Sequence, residues 1–276
     1  MGSRVVVGVD GSEQALAAVR AAAVAAGRRG VPLHVVHAFI WPYLHVNVGP
    51  VDRDMPETGL RHHAEDLLAE AVAEAGKAAP EVAVTTALID GVAAPVLLAE
   101  ALGAALLVLG DRGLGGVSGL IVGSVAVHAV AHADCPVLIV RGAEAAGGPV
   151  VVGADGSECT MALAAEESTL RRTDLVAVLA WQDSESAARH RLGAYLAGWP
   201  ERHPGVVLRP ELVRGNPKHV LIERSRTAQL VVLGARGRDT FKGLVLGSVS
   251  QALVYHSACP VAVVRTPPEA GREQAR

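Results

Sequence analysis

Aromatic residues make up only 3% of the 276-residue chain, so its core must be assembled from Val, Leu, Ile and Ala. That scarcity disfavours single-strand nucleic-acid binding, which needs rings on which bases can stack. Neither sign of charge dominates: 25 Lys and Arg against 28 Asp and Glu leave a net charge of -3. Such a surface is too balanced to neutralise a phosphate backbone, and general nucleic-acid binding is excluded. Three cysteines are too few for a disulfide framework and point to reduced thiols. Long apolar runs are also missing. The first ten residues hold a five-residue apolar run broken by Gly8, shorter than a signal-peptide core, and residues 92–110 are interrupted by Pro95, Glu100 and Gly103. The expected location is the cytoplasm, with no membrane partner.

Apolar residues are abundant, at 50% of the chain, and the length suits about two domains. The chain repeats itself. The hexapeptide starting at Gly8 (Gly-Val-Asp-Gly-Ser-Glu) returns at Gly153 as Gly-Ala-Asp-Gly-Ser-Glu, an offset of 153 minus 8, or 145. Leu109-Gly110-Asp111-Arg112-Gly113 returns as Leu233-Gly234-Ala235-Arg236-Gly237, and Cys135-Pro136-Val137 as Cys259-Pro260-Val261, both at an offset of 124. The second copy is therefore 21 residues shorter (145 minus 124) between its first and fourth strands. Pairing Trp41 with Trp181, an offset of 140, assigns five of these to the first helix region and sixteen to the segment after it. Two nucleotide-binding domains are expected, at residues 1–142 and 149–268, joined by a small-residue linker.

In the first copy, residues 4–9, 33–38, 82–88, 106–109 and 137–140 read as strands. Residues 13–28, 58–77, 92–102 and 124–132 read as helices. Near-continuous Val and Leu strands separated by helices are the pattern of a parallel sheet covered on both faces. The expected fold is α/β: two tandem Rossmann-like domains, each a five-stranded parallel sheet of order 3-2-1-4-5 with helices on both faces. Right-handed crossovers gather the strand-to-helix loops at the carboxyl edge, where a ligand would bind.

One of those loops carries an unusual pattern. Gly110-x2-Gly113-x9-Gly123-Ser124 follows the fourth strand and returns as Gly234-x2-Gly237-x9-Gly247-Ser248. The composition gives about 0.03 chance matches to this pattern in a chain of this length. Glycines let backbone approach a ligand closely, and the third opens a helix whose unpaired N–H groups and positive dipole end suit an anion. Ser124 and Ser248 add a hydroxyl at the helix start. Neither Gly-Lys-Ser nor Gly-Lys-Thr follows the glycines, so this is not a P-loop, and the first strand lacks a dinucleotide fingerprint. Asp10 and Asp155 end the first strands, where a carboxylate could accept hydrogen bonds from a ligand or equally from the following turn.

The two halves resemble the universal stress protein family in its tandem form, and the glycine pattern resembles that of its ATP-binding branch. His132-x2-Cys135-Pro136-Val137 and His256-x2-Cys259-Pro260-Val261 match the family's usual closing segment. The resemblance implies that Asp10 and Asp155 contact adenosine and that backbone near Ala38 and Ala180 contacts adenine. Gly110, Gly113, Gly123 and Ser124, with Gly234, Gly237, Gly247 and Ser248, would then hold ribose and phosphates. It implies ATP, ADP or AMP as ligand, in some members with Mg²⁺ bridging the phosphates, although no acidic cluster here would hold that ion unaided. The family's last strands mediate dimer contacts, which two copies in one chain could satisfy as an intrachain pseudo-dimer, leaving homodimerisation open. The second copy departs by Ala235 for Asp111 and Arg238-Asp239-Thr240 for Leu114-Gly115-Gly116.

Other signals are weaker. His128 and His132 have metal-ligand spacing, but only the second repeats, as His256, and helix C-terminal placement explains it better than zinc. Cys135 and Cys259 read as buried packing, Cys159 as a lone thiol, and Trp41 and Trp181 as packing residues. No residue is assigned a catalytic or metal-ligating role. The expected function is a nucleotide sensor in the stress response, with an unknown protein partner. Weighed against it are a slow ATPase or nucleotide-transferring enzyme and an interaction module that has lost its nucleotide.

Overall fold

The computed structural model describes residues 3–40, 55–113, 122–236 and 246–265. Gly237, Trp41, residues 114–116, and Arg238, Asp239 and Thr240 lie outside the described residues. The chain divides into two compact units, Met1–Arg141 and Gly142–Arg276.

In the first unit the strands are β1 (Val5–Val9), β2 (Leu33–Phe39), β3 (Val84–Asp90), β4 (Leu106–Gly110) and β5 (Val137–Val140). They pair in parallel in the order β3-β2-β1-β4-β5, as expected. In the second unit β6 (Val150–Gly153), β7 (Leu175–Trp181), β8 (Leu208–Arg214), β9 (Leu230–Gly234) and β10 (Val261–Val264) repeat the arrangement as β8-β7-β6-β9-β10. Central strands are buried on both faces: Val5, Val6 and Val7, like Leu230, Val231 and Val232, have no exposed surface. β3 and β8, each at one end of its unit's strand order, are only partly buried, with exposed Thr85 and Thr86 on one and Arg209 on the other. Polar side chains there blunt unpaired strand groups.

Helix α1 (Glu13–Arg29) covers β1 and β4 with a face of Ala15, Ala18, Val19, Ala22 and Ala26. Small side chains let it lie close to the sheet. Ser12 caps it, accepting from the Ala15 amide at 3.1 Å, and Gly30 ends it in the left-handed conformation at φ 64°. The other helices are α2 (Met55–Ala78), α3 (Ala93–Glu100) and α4 (Ser124–His132) in the first unit. In the second, α5 (Glu158–Arg171), α6 (Glu185–Tyr195), α7 (Trp199–Arg202), α8 (Pro217–Ser225) and α9 (Ser248–His256) follow. Ser157 caps α5 as Ser12 caps α1.

Strand register corrects the alignment of the two copies. Val5 lies opposite Leu33, 28 residues on, whereas Val150 lies opposite Leu175, 25 on. Leu33 lies opposite Val84, 51 on, whereas Leu175 lies opposite Leu208, 33 on. The 21-residue shortening is thus three residues at the first helix and eighteen between the second and third strands. Phe39, not Trp41, is the counterpart of Trp181, since Phe39 pairs with Asp90 and Trp181 with Arg214. Both aromatics carry a guanidinium, Arg61 at 5.0 Å from the Phe39 ring centroid and Arg214 at 5.7 Å from that of Trp181. The expected third strand also shifts two residues, to end at Asp90, whose carboxylate binds Arg61 at 2.7 Å.

Candidate functional site

A cavity of about 280 Å³ opens at the carboxyl ends of β1, β2 and β4. It brings together all six residues predicted from the first copy: Asp10, Ala38, Gly110, Gly113, Gly123 and Ser124. Its lining is mainly apolar with a few polar groups, as is usual for small-molecule sites.

Asp10 follows β1 in a tight turn. Its Oδ1 accepts from the Ser12 amide at 3.0 Å and the Ser12 hydroxyl at 2.7 Å. The turn role weighed from sequence is therefore real, and it holds the carboxylate in place. Gly11, at φ 87°, supplies the left-handed residue this turn requires. Asp155 repeats the turn, accepting from the Ser157 amide at 2.8 Å.

The glycines differ in what demands them. A Cβ on Gly110 would lie 2.8 Å from the Gln14 carbonyl oxygen of α1, so close packing of helix on strand already requires glycine there. A Cβ on Gly113 would collide with Oδ2 of Asp10, placing this loop against the carboxylate. Among the described residues, a Cβ on Gly123 would meet nothing nearer than 3.7 Å. Gly123 is itself the N-cap of α4, without a side-chain cap, so Ser124 is the first helical residue rather than the cap. The first-turn amides of α4 have no partner in their own helix, and Ser124, Val125 and Ala126 line the cavity. Two backbone bonds pin the loop: Gly123 donates to Asp111 at 2.8 Å, and Asp111 to Val140 at 3.2 Å. The second unit repeats them, Gly247 to Ala235 at 2.7 Å and Ala235 to Val264 at 2.8 Å.

The second unit places Asp155, Ala180, Gly234, Gly247 and Ser248 at the corresponding ends of its strands and helix, with a changed wall. Thr160 stands where Ala15 lines the first cavity, and its hydroxyl lies 3.5 Å from Asp155 Oδ2. Ser250 replaces Ala126 and donates to the Gly234 carbonyl at 2.6 Å. Ala154 and Leu179, counterparts of Val9 and His37, join Ala188 and Leu192 of α6 in an apolar cluster. A Cβ on Gly234 would collide with Asp155 Oδ2, a contact that falls to Gly113 in the first unit.

Two polar side chains of the cavity wall were not assigned from sequence. Arg112, half-exposed, lines the loop with its Nε 3.9 Å from Asp111 Oδ2, and its return as Arg236 was the available signal. His37 lines the cavity with Nδ1 2.8 Å from the Val9 carbonyl oxygen. Its counterpart is Leu179, so the repeat offered no hint.

The universal stress protein family profile matches residues 1–141 and 148–265. The chain belongs to the universal stress protein family. A universal stress protein of Mycobacterium tuberculosis is 35% identical over 285 residues, covering 95% of this chain and 96% of that one. Another from the same organism is 34% identical over 293 residues, with 95% and 96% covered. Among solved structures, a universal stress protein from Archaeoglobus fulgidus superposes with a TM-score of 0.73 at 18% identity, covering 95% and 96%, and so shares the fold. A universal stress protein structure from Pseudomonas aeruginosa superposes at 0.62 and 16%, covering 95% and 92%.

Among the described residues no group of three or more His, Cys, Asp or Glu could hold a metal ion, and no helix is long and apolar enough to cross a membrane. The His128 and His132 rings stack at 4.2 Å, and His132 Nδ1 donates to the His128 carbonyl at 2.9 Å, near the helix end. Burial pushes the Cys135 and Cys259 thiols up to about 11, which removes thiolate chemistry and fits packing.

Proposed function

We propose that this universal stress protein is a cytoplasmic adenine-nucleotide sensor whose first unit binds ATP, ADP or AMP in the crevice between Asp10 and the glycine loop. The observation that carries the reading is the single cavity in which Asp10, Ala38, Gly110, Gly113 and Gly123 meet the uncapped start of α4. Phosphates would rest on the amides of α4, favoured by its positive dipole end, with Arg112 adding charge from the rim. The base would lie toward Ala38. The second unit offers the same frame through Asp155, Ala180, Gly234, Gly247 and Ser248, for a second site with a different wall. Mg²⁺ would arrive with the phosphates, since the described residues nearby form no cage of carboxylates.

Binding, rather than turnover, is the proposed output. Among the described residues, the titratable side chains lining the crevice are Asp10, His37 and Arg112. Asp10 is held by Ser12, and His37 by Val9, so neither is set to activate a water for attack on phosphorus. The test is to denature freshly purified protein, chromatograph the released small molecules, and titrate the emptied protein with ATP. Stoichiometric adenine nucleotide supports the reading. Absence of nucleotide together with no response to ATP removes it, and sustained multiple-turnover product release would move the protein to the enzymes.

A further inference from the structure

We propose that His37 reads the base in the first crevice, selecting a purine with an amino group at position six over one with a carbonyl there. The inference rests on the nucleotide reading above and adds which purine the first site accepts.

A carbonyl oxygen can only accept, so the 2.8 Å contact with Val9 requires the proton on Nδ1 of His37. In the neutral ring Nε2 then carries a lone pair. Among the described residues no partner engages Nε2, and the ring belongs to the cavity wall. It neighbours Ala38, at the end of the crevice where the base is placed. An exocyclic amine can donate to Nε2. A carbonyl in the same place would set lone pair against lone pair, leaving two acceptors unpaired away from water, an arrangement costly enough to discriminate.

Fixing the ring through Nδ1 also makes it a prepared acceptor, since no rotamer search is needed when the ligand arrives. The second unit lacks the device. β7 carries Leu179 at the same register, within the apolar cluster of α6, and a hydrocarbon cannot distinguish amine from carbonyl by hydrogen bonding. Base selectivity is therefore a property of the first unit.

Covering the Val9 carbonyl would be reason enough for a His here if the role were structural alone. His37→Asn separates the two roles. Its amide N–H can still reach that carbonyl, while nothing remains where Nε2 was. His37→Leu installs the second unit's residue. The full-length chain and both variants are titrated calorimetrically with ATP and with GTP, which share a phosphate tail. The expected result is a preference for ATP of about tenfold or more in the parent chain, falling to within about twofold in H37N and H37L. In protein labelled with ¹⁵N-histidine, the Nε2 signal missing from the H37N spectrum should move when ATP is added. A preference that survives both substitutions, a parent chain without preference, or an unmoved Nε2 signal at saturating ATP overturns the assignment while leaving nucleotide binding intact. No binding of either nucleotide overturns the assignment and the reading beneath it together.

Discussion

Replacing Gly113 by Ala sets a methyl group on the Oδ2 of Asp10. Either the glycine loop retreats or the carboxylate turns away. If the carboxylate turns, it gives up bonds from the Ser12 amide and hydroxyl, at 3.0 and 2.7 Å. Hydrogen bonds to charged groups contribute about 1.5–3 kcal/mol each, so losing one lowers stability by about 1.5–3 kcal/mol. A ligand bonded to that carboxylate would weaken by a similar amount, about 10- to 100-fold in affinity at the first site. The assay is a double-mutant cycle of Gly113→Ala and Asp10→Ala, read by urea unfolding and ATP titration. Once the carboxylate is gone, the added methyl has nothing to strike, so G113A should cost less than about 0.5 kcal/mol in the D10A background. Equal costs in both backgrounds would show that the methyl acts elsewhere and would refute the Asp10–Gly113 contact as the reason for the glycine.

Further outcomes follow from other parts of the molecule. In the native protein a small thiol reagent at pH 7 should modify Cys159 alone, with all three cysteines reacting after unfolding; rapid native labelling of Cys135 or Cys259 would contradict their raised thiols. Gly76, exposed within α2 and with open space at its Cβ position, should gain about 0.5–1 kcal/mol of stability on replacement by Ala, measured by urea unfolding. Buried His34, bonded to Thr85 at 2.8 Å and Glu100 at 3.1 Å, has its affinity for protons lowered by burial and then by the Arg4 charge. The unfolded chain therefore takes up that proton first, so stability should fall as pH drops below about 6.5 and level off below the folded value. His34→Val, the residue at Val176 in the second unit, should flatten that part of the profile; an unchanged slope would assign it to other groups.

The parallel strands and their covering helices were legible because buried Val and Leu runs such as Val5–Val9 alternate with Ala-rich helices, a pattern that follows from local burial. The glycine loop was legible for the same kind of reason, as fixed spacing within one connection. What escaped depended on contacts across the sheet. Trp41 and Trp181 matched by residue type, yet register pairs Trp181 with Phe39, because the shortening divides three and eighteen rather than five and sixteen. His37 was invisible because its partner, the Val9 carbonyl, lies on the neighbouring strand. The reason for Gly110 was misplaced too: glycine there admits the backbone of α1, a tertiary fact that spacing along the chain does not carry.

That close seating of α1 on β4 changes how drift in such proteins should be traced. A lineage in which the proposed nucleotide site fell out of use would still keep Gly110, because the scaffold would suffer if a methyl were inserted beneath the helix. Gly123, where a methyl has room among the described residues, would be released earlier, and its loss in a descendant would mark the end of the proposed nucleotide site sooner than any change at the strand's end.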